Sequence, residues 1–587
     1  MAADPIDREV FLASSGKPHE ASISHLEATH SLPATAGYLF NTITHGDHDP
    51  DTVRMLAAIA AQRDRDPDSP TYGCLKWYLE HPGIGDTNAS FFTCLPLAVL
   101  YLAFHERLSE EEQQGVREVF AVSAPWFRRM ADSPSLFYPN KCLGDVAMLL
   151  ATGHILGDET IIAEARNFCR RYLDYIETRG TGWGEDHSPV YIRVIIEMGL
   201  LIMLLEHSSE LAGRCRSMVD ALMEWVVFND GFDAVPSIRG YNFEAKQEVP
   251  WDVKFLIEGQ PAPEALTALS VLAEATGYRY QAPSLALPRQ WRRRTFDHHT
   301  STSYIGPHSR LGTLSHYPLM PNTIHHDTWG LAWQTKPASF IVPGHDYGIL
   351  QWRSEDDEGE VRRHEARVGA DYSSRHLFKR LSFHPEVITV AHQQGPAAII
   401  FREIHRLHSP TVKLDDRWRL VPGAARVLIG GQEWSGKTTS IPPDWIVLDY
   451  GHTAVAIRPL KCRVLDPPDD DPNPQRRMEG NIIDLPVRLQ RYDNELHLSL
   501  PLIDGATETV TQPLLFSGWC VVLLDSPGDI QNLSLTESFH EDGEIPRTYG
   551  ELIRTVELTT PQGSLKLVRD MLTDQELRYT NGVSDNV

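Results

Sequence analysis

The sequence predicts an α+β multidomain protein, in which paired helices form an N-terminal domain and antiparallel β-sheets form a C-terminal domain. From about Val53 to Thr276, apolar residues recur at intervals of three and four, which is the spacing of one helix face. After Gln281 the apolar residues alternate or cluster in short runs, as they do in strands. No helical pattern separates these runs, which favours antiparallel over parallel sheets.

The length of the chain agrees with this division. A chain of 587 residues is too long for one hydrophobic core, so two or three domains are expected. Hydrophobic residues make up 42% of the chain and charged residues 23%, which is typical of a globular protein rather than a disordered one. We place the helical domain at 1–285 and the β-sheet domain at 286–587.

Helices in the first half are joined by short turns that contain Gly, Pro and Asp. Ser109, followed three residues later by Glu112, has the form of a capping box and predicts one helix start. Short turns of this kind join antiparallel neighbours, so the helices are expected to pack in pairs. The predicted helices are 53–63, 91–107, 110–131, 143–156, 159–178, 189–207, 209–229 and 263–276.

The second half begins at a basic stretch, 289–294, which follows two prolines and marks the domain boundary. The run 466–474, rich in Asp and Pro, is predicted to be a solvated loop. Strands are expected between the Pro, Gly and Asp turns. The predicted strands are 338–342, 387–392, 397–402, 426–429, 445–449, 453–458 and 519–524.

The charge of the chain bears on its partners. Lys and Arg number 54 against 79 Asp and Glu, which gives a formal net charge of −25. Such a charge repels phosphate backbones and anionic membrane surfaces, so neither nucleic acid nor a membrane is expected as a partner. An acidic substrate would need a local basic or hydrogen-bonding pocket.

The cysteines and the apolar segments bear on the compartment. The seven cysteines are scattered and contain no CxxC pair, which favours reduced, buried thiols over a disulfide framework or a zinc finger. Residues 1–20 lack a basic region followed by an apolar run, the pattern of a signal peptide. The longest apolar segment, Val190 to Leu205, contains Arg193 and Glu197 and is too short to span a bilayer. We therefore expect a cytoplasmic protein.

One nucleotide-binding motif is rejected. Residues 431–438, GQEWSGKT, match the P-loop pattern and follow a predicted strand. A P-loop needs a helix directly after its Lys, because the helix N-terminus supplies amide donors and the positive end of the helix dipole. Pro442 and Pro443 follow instead and cannot continue a helix. The segment is therefore not expected to bind a nucleotide.

Polar residues at predicted helix starts and turns of the first half are the candidates for catalysis. They are Asn140, His187, Tyr191, Arg239 and Tyr241. Structural roles are open to them as well: Asn140 and His187 can cap helices, and Tyr191 can belong to the core. Arg239, in a turn flanked by Pro and Gly, is harder to assign to structure, because a buried Arg usually binds a carboxylate.

Two segments, 140–153 (NKCLGDVAMLLATG) and 183–191 (WGEDHSPVY), together with the order Asn, His, Tyr, Arg, carry a family resemblance. The order resembles the catalytic tetrad of polysaccharide lyases of the chondroitin AC and hyaluronate lyase type, and the alginate lyase and heparinase II/III families are similar in layout. The resemblance covers nearly the whole chain. It implies an (α/α) toroid followed by an antiparallel β-sheet or β-sandwich domain, and a carbon–oxygen lyase that acts on an acidic oligosaccharide or polysaccharide.

The interval between His187 and Tyr191 departs from the family pattern. It is shorter than in the chondroitin AC type, so Tyr241 is a credible substitute for Tyr191.

A second departure lies in the sheet domain. In the heparinase II/III group a His-x-His-x-Asp segment supplies a base or a metal ligand. The segment 322–329, NTIHHDTW, resembles it imperfectly, because Thr323 stands where the first His would be. His325 and His326 are therefore predicted to contact substrate. No cofactor is expected, and His325, His326 and Asp327 are the residues that would hold a divalent metal ion.

The resemblance implies a specific chemistry. A lyase for uronic-acid glycans removes the proton at C5, beside a carboxylate, and expels the glycosidic oxygen from C4. Asn140, with Arg239 or His187, would stabilise the charge that spreads onto the carboxyl group in the enolate-like transition state. Tyr191 or Tyr241, with its pKa lowered by a neighbouring Arg or His, would act as base and then protonate the leaving oxygen. The product would carry a C4–C5 double bond.

Further substrate contacts are predicted from aromatic and polar residues near turns. Trp183 and Trp251 can stack against sugar rings, and Glu185 belongs to the same segment as Trp183. Asp86 and Asn88, in a polar turn before a helix, can hold sugar hydroxyl groups or cap that helix.

Three other functions stay open. An (α/α)-toroid glycoside hydrolase needs two carboxylic acids in one cleft, for which Glu185, Asp186 and Asp86 are candidates. A uronate C5-epimerase would use the same proton abstraction without loss of O4. A non-catalytic carbohydrate-binding protein would turn nothing over. The identity of the uronate, endo or exo action and a homo-oligomeric state are left open as well.

Overall fold

The structure is a computed structural model of the chain. It describes residues 8–14, 23, 26, 28–136, 138–180, 189–207, 209–231, 235–236, 249–261, 265–296, 299–315, 337–355, 386–406, 413–464, 482–492, 494–504, 515–541, 552–571, 575–580 and 583–585.

The described residues divide into two compact units. The first contains residues of Met1–Phe232 and Glu248–Ser284, and it holds the helices. The second contains residues of Asp233–Gln247, Leu285–Glu365 and Arg375–Val587, and it holds large antiparallel sheets. The predicted α+β multidomain layout, with helices before sheets, is therefore confirmed.

Each predicted helix is present, with shifted ends, and two further helices, α1 and α9, have no counterpart in the sequence prediction. The helices are α1 (Leu32–Thr44), α2 (Thr52–Ala61), α3 (Ala89–Ala103), α4 (Glu110–Asp132), α5 (Pro139–Leu156), α6 (Glu159–Arg179), α7 (Pro189–Leu205), α8 (Glu210–Phe228), α9 (Trp251–Phe255) and α10 (Ala268–Thr276).

Side-chain caps define several helix starts. The Ser109 hydroxyl accepts from the Glu112 N–H at 3.2 Å, and the Glu112 carboxylate accepts from the Ser109 N–H at 2.8 Å, so the predicted capping box is present. Helices α1, α6 and α10 also begin at a side-chain oxygen that accepts from backbone N–H groups of the first turn. The capping residues are Ser31, Asp158 and Thr267, respectively. Short polar side chains therefore fix where these helices begin.

The helices pack in two layers. Helices α3, α5 and α7 are buried on nearly all sides, and they pack in the series α1, α3, α5, α7, α10, in which α10 also contacts α3. Helices α2, α4, α6 and α8 pack in a second series against this inner one, and α4 and α6 each bury one apolar stripe. The helices therefore pair in an inner and an outer series, and their closure into a toroid stays a prediction.

All the predicted strands are present, and many strands were not predicted. The strands are β1 (Ala13–Ser14), β2 (Thr29–His30), β3 (Arg289–Phe296), β4 (His299–Ile305), β5 (Arg310–Ser315), β6 (Ala338–Ile341), β7 (Tyr347–Glu355), β8 (Glu386–Gln394), β9 (Ala397–Arg406), β10 (Lys413–Val421), β11 (Arg426–Ile429), β12 (Gln432–Glu433), β13 (Thr439–Ile441), β14 (Ile446–Asp449), β15 (Ala454–Pro459), β16 (Cys462–Arg463), β17 (Ile482–Ile483), β18 (Val487–Tyr492), β19 (Glu495–Asp504), β20 (Leu515–Leu524), β21 (Ser534–Glu541), β22 (Leu552–Thr560), β23 (Gly563–Asp570), β24 (Gln575–Thr580) and β25 (Val583–Asp585).

The strands of the second unit form three antiparallel sheets. The first sheet has the order β13-β18-β19-β10-β7-β6-β5-β4-β3. The second has the order β12-β11-β14-β15-β20-β16-β17, with β9 also paired to β20 and β8 paired to β9. The third has the order β21-β22-β23-β24-β25, while β1 and β2 form a small ribbon in the helical unit. The prediction of antiparallel pairing is confirmed.

Two hydrophobic cores hold the three sheets together. One core joins Leu350 and Trp418 of the first sheet to Ile400 and Trp519 of the second. The opposite face of the second sheet, which includes Phe401, packs on the third sheet. Because side chains alternate along a strand, adjacent residues such as Ile400 and Phe401 enter different cores. Burial on both faces explains the apolar run 519–524 (WCVVLL) in β20.

The segment that matches the P-loop pattern lies among strands. Gln432–Glu433 form β12, and the next element after the motif is the strand β13 rather than a helix. Gly431 and Gly436 have φ angles of +78° and +82°, which suit turns. The rejection of a phosphate-binding loop is therefore confirmed.

Two further sequence features can be compared with the structure. All seven cysteines are buried free thiols, as predicted. None of the described helices combines the length and the apolar character needed to cross a bilayer.

Candidate functional site

Three of the inner helices, α1, α3 and α5, begin close together. The Leu32 N–H at the start of α1 donates to the Trp77 carbonyl at 3.0 Å, and the Trp77 ring contacts Phe92 in the first turn of α3 at 5.3 Å between centroids. The Asn88 amide, at the start of α3, donates to the Tyr138 hydroxyl at 3.3 Å, directly before α5. The starts of α1, α3 and α5 therefore lie together.

Asn88 acts as a bridge rather than as a helix cap. It is the N-cap residue of α3, but its side chain makes no capping hydrogen bond. Its buried side chain instead reaches Tyr138, while its backbone N–H donates to the Asp86 carboxylate at 2.9 Å. Asp86 is half-buried. The polar turn predicted before this helix therefore connects two inner helices.

Asn140 is the second residue of α5 and is fully buried. The N-cap position belongs to Tyr138, and Pro139 is the first helical residue. Asn140 therefore does not cap the helix, and its amide lies within the first turn, where backbone N–H groups and the positive end of the helix dipole face outward.

The residue after Asn140 carries a charge that is already paired. The Lys141 ammonium forms an ion pair with Asp145 one turn later, and it lies 4.9 Å from the centre of the Trp126 ring. Burial raises the pKa of Asp145 to about 6, although the Lys141 charge and hydrogen bond act in the opposite direction. This pair stabilises the first turns of α5.

The start of α1 carries a histidine that sequence reasoning missed. His30 Nδ1 lies 2.6 Å from Glu80 Oε1, and the His30 N–H donates to the same carboxylate at 3.0 Å. Burial raises the pKa of Glu80, but the hydrogen bonds from His30 outweigh it and hold that pKa below its ordinary value. The partners are 50 residues apart in the sequence, so no local pattern predicts the pair.

The start of α7 contains Tyr191, which is half-buried in the first turn. Two residues later Arg193 joins two buried acids: its guanidinium lies 3.1 Å from Glu197 Oε2 and 2.9 Å from Asp252 Oδ2. The Thr267 hydroxyl, at the cap of α10, donates to the same Asp252 oxygen at 2.9 Å. The start of α7 is thereby fixed to α9 and α10.

Of the aromatic residues considered for sugar stacking, Trp251 is the exposed one among the described residues. Its exposed fraction is 47%. Trp251 is the first residue of α9 and directly precedes Asp252.

Several predicted site residues lie outside the described residues. They are His187, Arg239 and Tyr241 among the catalytic candidates, Trp183, Glu185, His325 and His326 among the substrate contacts, and Asp186 and Asp327. Within the described ranges there is no group of three His, Cys, Asp or Glu side chains arranged to hold a metal ion.

The described part of the site is polar, and it includes the half-buried Asp86 carboxylate. Amide and hydroxyl groups lie at the starts of inner helices, where the helix N-terminus favours anions. They belong to Asn88, Tyr138, Asn140 and Tyr191. Two cations nearby, Lys141 and Arg193, are neutralised by buried carboxylates. Such an arrangement suits a ligand with a carboxylate and hydroxyl groups.

The protein is thus of the α+β class, and its helical unit has a candidate polar site at the starts of α1, α3 and α5. No family model matches the chain. No curated protein matches it either.

The chain is similar to several solved structures, all at low identity and with a TM-score below 0.5. One is heparinase III, at 11% identity, covering 91% of this chain and 80% of that one, with a TM-score of 0.42. Another is a heparinase III with methylated lysines, at 9% identity, covering 93% of this chain and 95% of that one, with a TM-score of 0.35. A third is a mutant of the heparan sulfate lyase HepC from Pedobacter heparinus, at 12% identity, covering 93% and 95%, with a TM-score of 0.20.

Proposed function

We propose that the protein is a lyase that cleaves a uronic-acid-containing oligosaccharide or polysaccharide by β-elimination. The observation that carries the proposal is the grouping of buried Asn140 with the hydrogen-bonded pair Asn88 and Tyr138 at the starts of α3 and α5. Amide donors beside a helix N-terminus suit a carboxylate that gains negative charge during the reaction. A phenol hydroxyl in the same place supplies a group that can take and return a proton.

The proposed reaction consists of two proton transfers, one from C5 and one to O4. A tyrosine oxygen takes the proton from C5, the C–H electron pair enters the C4–C5 bond, and the C4–O4 bond breaks. The same tyrosine then returns a proton to the leaving O4. Asn140 binds the carboxyl group at C5 and stabilises its enolate-like form, and Arg239 or His187 supplies the second contact to that carboxylate.

Three tyrosines are candidates for the base. Tyr191 and Tyr241 follow from the sequence, and the structure adds Tyr138, because its hydroxyl oxygen accepts from the Asn88 amide at 3.3 Å. This hydrogen bond positions the phenol hydroxyl directly before the first turn of α5.

The test is incubation with a panel of uronate-containing glycans while the ultraviolet absorbance of the conjugated unsaturated uronate is followed. We expect Asn140→Ala to lower kcat roughly 10²–10³-fold, the loss typical of one oxyanion donor. Among Tyr138→Phe, Tyr191→Phe and Tyr241→Phe, one variant should abolish the rise. Tyr492→Phe, at an exposed tyrosine of β18, is the control and should leave the rate unchanged.

Other outcomes identify the other functions. New reducing ends without absorbance would mean hydrolysis and would direct attention to Asp86, Glu185 and Asp186. Exchange of the C5 hydrogen with solvent deuterium, without cleavage, would mean an epimerase. The proposed reaction needs no cofactor. We therefore expect full activity after dialysis against a chelator.

A further inference from the structure

Lys76 lies in the short segment that connects the starts of α1 and α3. The Leu75 N–H, directly before it, donates to the Ser90 hydroxyl in the first turn of α3 at 2.9 Å. The Trp77 carbonyl, directly after it, accepts from the Leu32 N–H at the start of α1 at 3.0 Å. Both neighbours of Lys76 in the chain are therefore fixed to helix starts of the candidate site.

The Lys76 side chain is half-buried and has no counter-ion. Among the described residues, no side chain or backbone group pairs with its ammonium group. Lys141 and Arg193 differ in this respect, because their charges are paired with buried carboxylates. Burial lowers the pKa of Lys76, and no nearby charge acts in the opposite direction.

The end of α2, which lies next to Lys76, does not account for this charge. The Lys76 N–H donates to the carbonyl of Gln62, the residue after α2, at 3.1 Å. A cation at a helix C-terminus can bind the last carbonyl groups of that helix. Here Arg63 Nη1 does so, because it donates to the Ala60 carbonyl at 2.9 Å. The role of a capping cation is therefore filled by Arg63.

A half-buried cation without a counter-ion contributes little to the stability of a fold, because it loses contact with water and gains no partner. The same charge becomes favourable when an anion binds beside it. In a chain with a net charge of −25, it also attracts an acidic ligand locally.

We propose that Lys76 is the cation of an anion subsite beside the starts of α1 and α3, and that it binds the carboxylate of a uronate next to the one that is cleaved. A lysine ammonium suits this task, because it recognises a carboxylate as a point charge. The inference rests on the proposed function for the identity of the ligand as a uronate glycan. Lys76 holds this ligand and takes no part in the proton transfers.

The test compares a uronate hexasaccharide with its carboxyl-reduced form, which has neutral sugars in place of uronates. Both are titrated calorimetrically into the full chain with Asn140→Ala, in which slow turnover preserves the native form. In this background Lys76→Met should weaken binding of the native form about fivefold, as for one partly exposed ion contact, and leave binding of the reduced form unchanged. Lys76→Arg should keep most of the affinity, because the charge is retained.

Lys437→Met is the matched control, because Lys437 is an exposed lysine of the β-sheet unit, between β12 and β13. It should change the affinity for neither form. Equal weakening of both forms by Lys76→Met, or no weakening of either, would overturn the subsite.

Thermal denaturation of the ligand-free chain, with Asn140 intact, separates a binding role from a structural one. Lys76→Met removes a half-buried charge that has no partner and keeps the aliphatic part of the side chain, so it should raise the melting temperature. A lower melting temperature would mean that the ammonium group stabilises the fold, and would overturn the argument from the missing counter-ion.

The outcomes for the subsite and for the lyase are distinct. Selective weakening of the native form by Lys76→Met upholds the subsite, even if the intact chain forms no unsaturated product. Formation of that product, together with unchanged affinity of Lys76→Met for both forms, supports the lyase and overturns the subsite.

Discussion

Replacing Arg193 with Met tests how strongly the ion pairs at the start of α7 stabilise the helical unit. Met keeps most of the volume and removes the charge. It leaves Glu197 and Asp252 facing each other at 3% and 2% side-chain exposure, with no cation between them. We expect this to be the most destabilising charge deletion at the inner helix starts.

The size of the effect follows from burial. Removing one partner of a buried ion pair typically costs about 3–5 kcal/mol, because the remaining charge stays desolvated. The Arg193 side chain is itself 28% exposed, so water can partly solvate the carboxylates that the substitution leaves behind. We therefore expect a loss of stability at the lower end of this range, about 3 kcal/mol. Arg214 is the control: it is only 18% exposed, but its partners Asp174 and Glu177 are 67% and 57% exposed. Arg214→Met should therefore cost at most about 1 kcal/mol.

Urea denaturation, followed by a signal from the helical unit at pH 8 and at pH 5, measures both changes. Burial already raises the pKa of Glu197, and loss of Arg193 raises it further. The native variant then binds a proton that the unfolded chain, with carboxyl pKa values near ~4, does not bind. Stability therefore falls as pH rises through that window, and the cost of Arg193→Met must be larger at pH 8 than at pH 5.

A cost that is independent of pH would refute the electrostatic reasoning and indicate lost packing instead. Equal costs for Arg193→Met and Arg214→Met would refute the argument from burial.

Three further predictions concern stability and accessibility. Ser109→Ala removes the capping box of α4 and should cost about 1 kcal/mol by urea denaturation, whereas Ser109→Asp, which can still cap, should cost little. Gly144→Ala places a Cβ 2.8 Å from the Phe91 ring where α5 crosses α3, and should lower the melting temperature, an effect that Phe91→Leu in the same chain should partly relieve. The cysteines are all buried, and burial raises the pKa of Cys74 to about 12, so a thiol reagent at pH 8 should label the native protein far more slowly than the urea-unfolded one. Rapid labelling of the native chain would contradict the burial of these thiols.

The helices and apolar strands could be predicted because their patterns are local. Strand β10, with the sequence KLDDRWRLV, could not, because its charged residues read as solvent-exposed. Asp416 is in fact fully buried, since Arg402, Ser517 and Trp519 from the second sheet all donate to its carboxylate. Partners that lie up to 103 residues away leave no local signal.

The residues of the candidate site also divide into those with a local sequence signal and those whose partners lie far away in the sequence. Asn140 and Asn88 stand at helix starts, and their position was visible as a polar residue before an apolar periodic run. Tyr138 was missed because its role depends on Asn88, 50 residues earlier. Arg193 was read only as an interruption of an apolar segment, because Asp252, which binds it, lies 59 residues later.

The net charge of −25 and the proposed acidic glycan substrate together predict how substrate recognition depends on salt concentration. At the described helix starts, Lys141 and Arg193 are neutralised by buried carboxylates, and the groups offered to the carboxylate of the cleaved uronate are amides, hydroxyls and helix ends. Such contacts lose little on screening, whereas the repulsion between the whole protein and an anion is relieved by it.

We therefore expect kcat/KM for a uronate oligosaccharide to stay flat or to rise between about 0.05 and about 0.2 M salt, over which the Debye length falls by about half. A steep fall would mean that recognition depends mainly on a cation, and Arg239→Gln would show whether the proposed contact of Arg239 with the carboxylate carries it. If that variant did not flatten the fall, the helix starts would not be the place where the carboxylate binds.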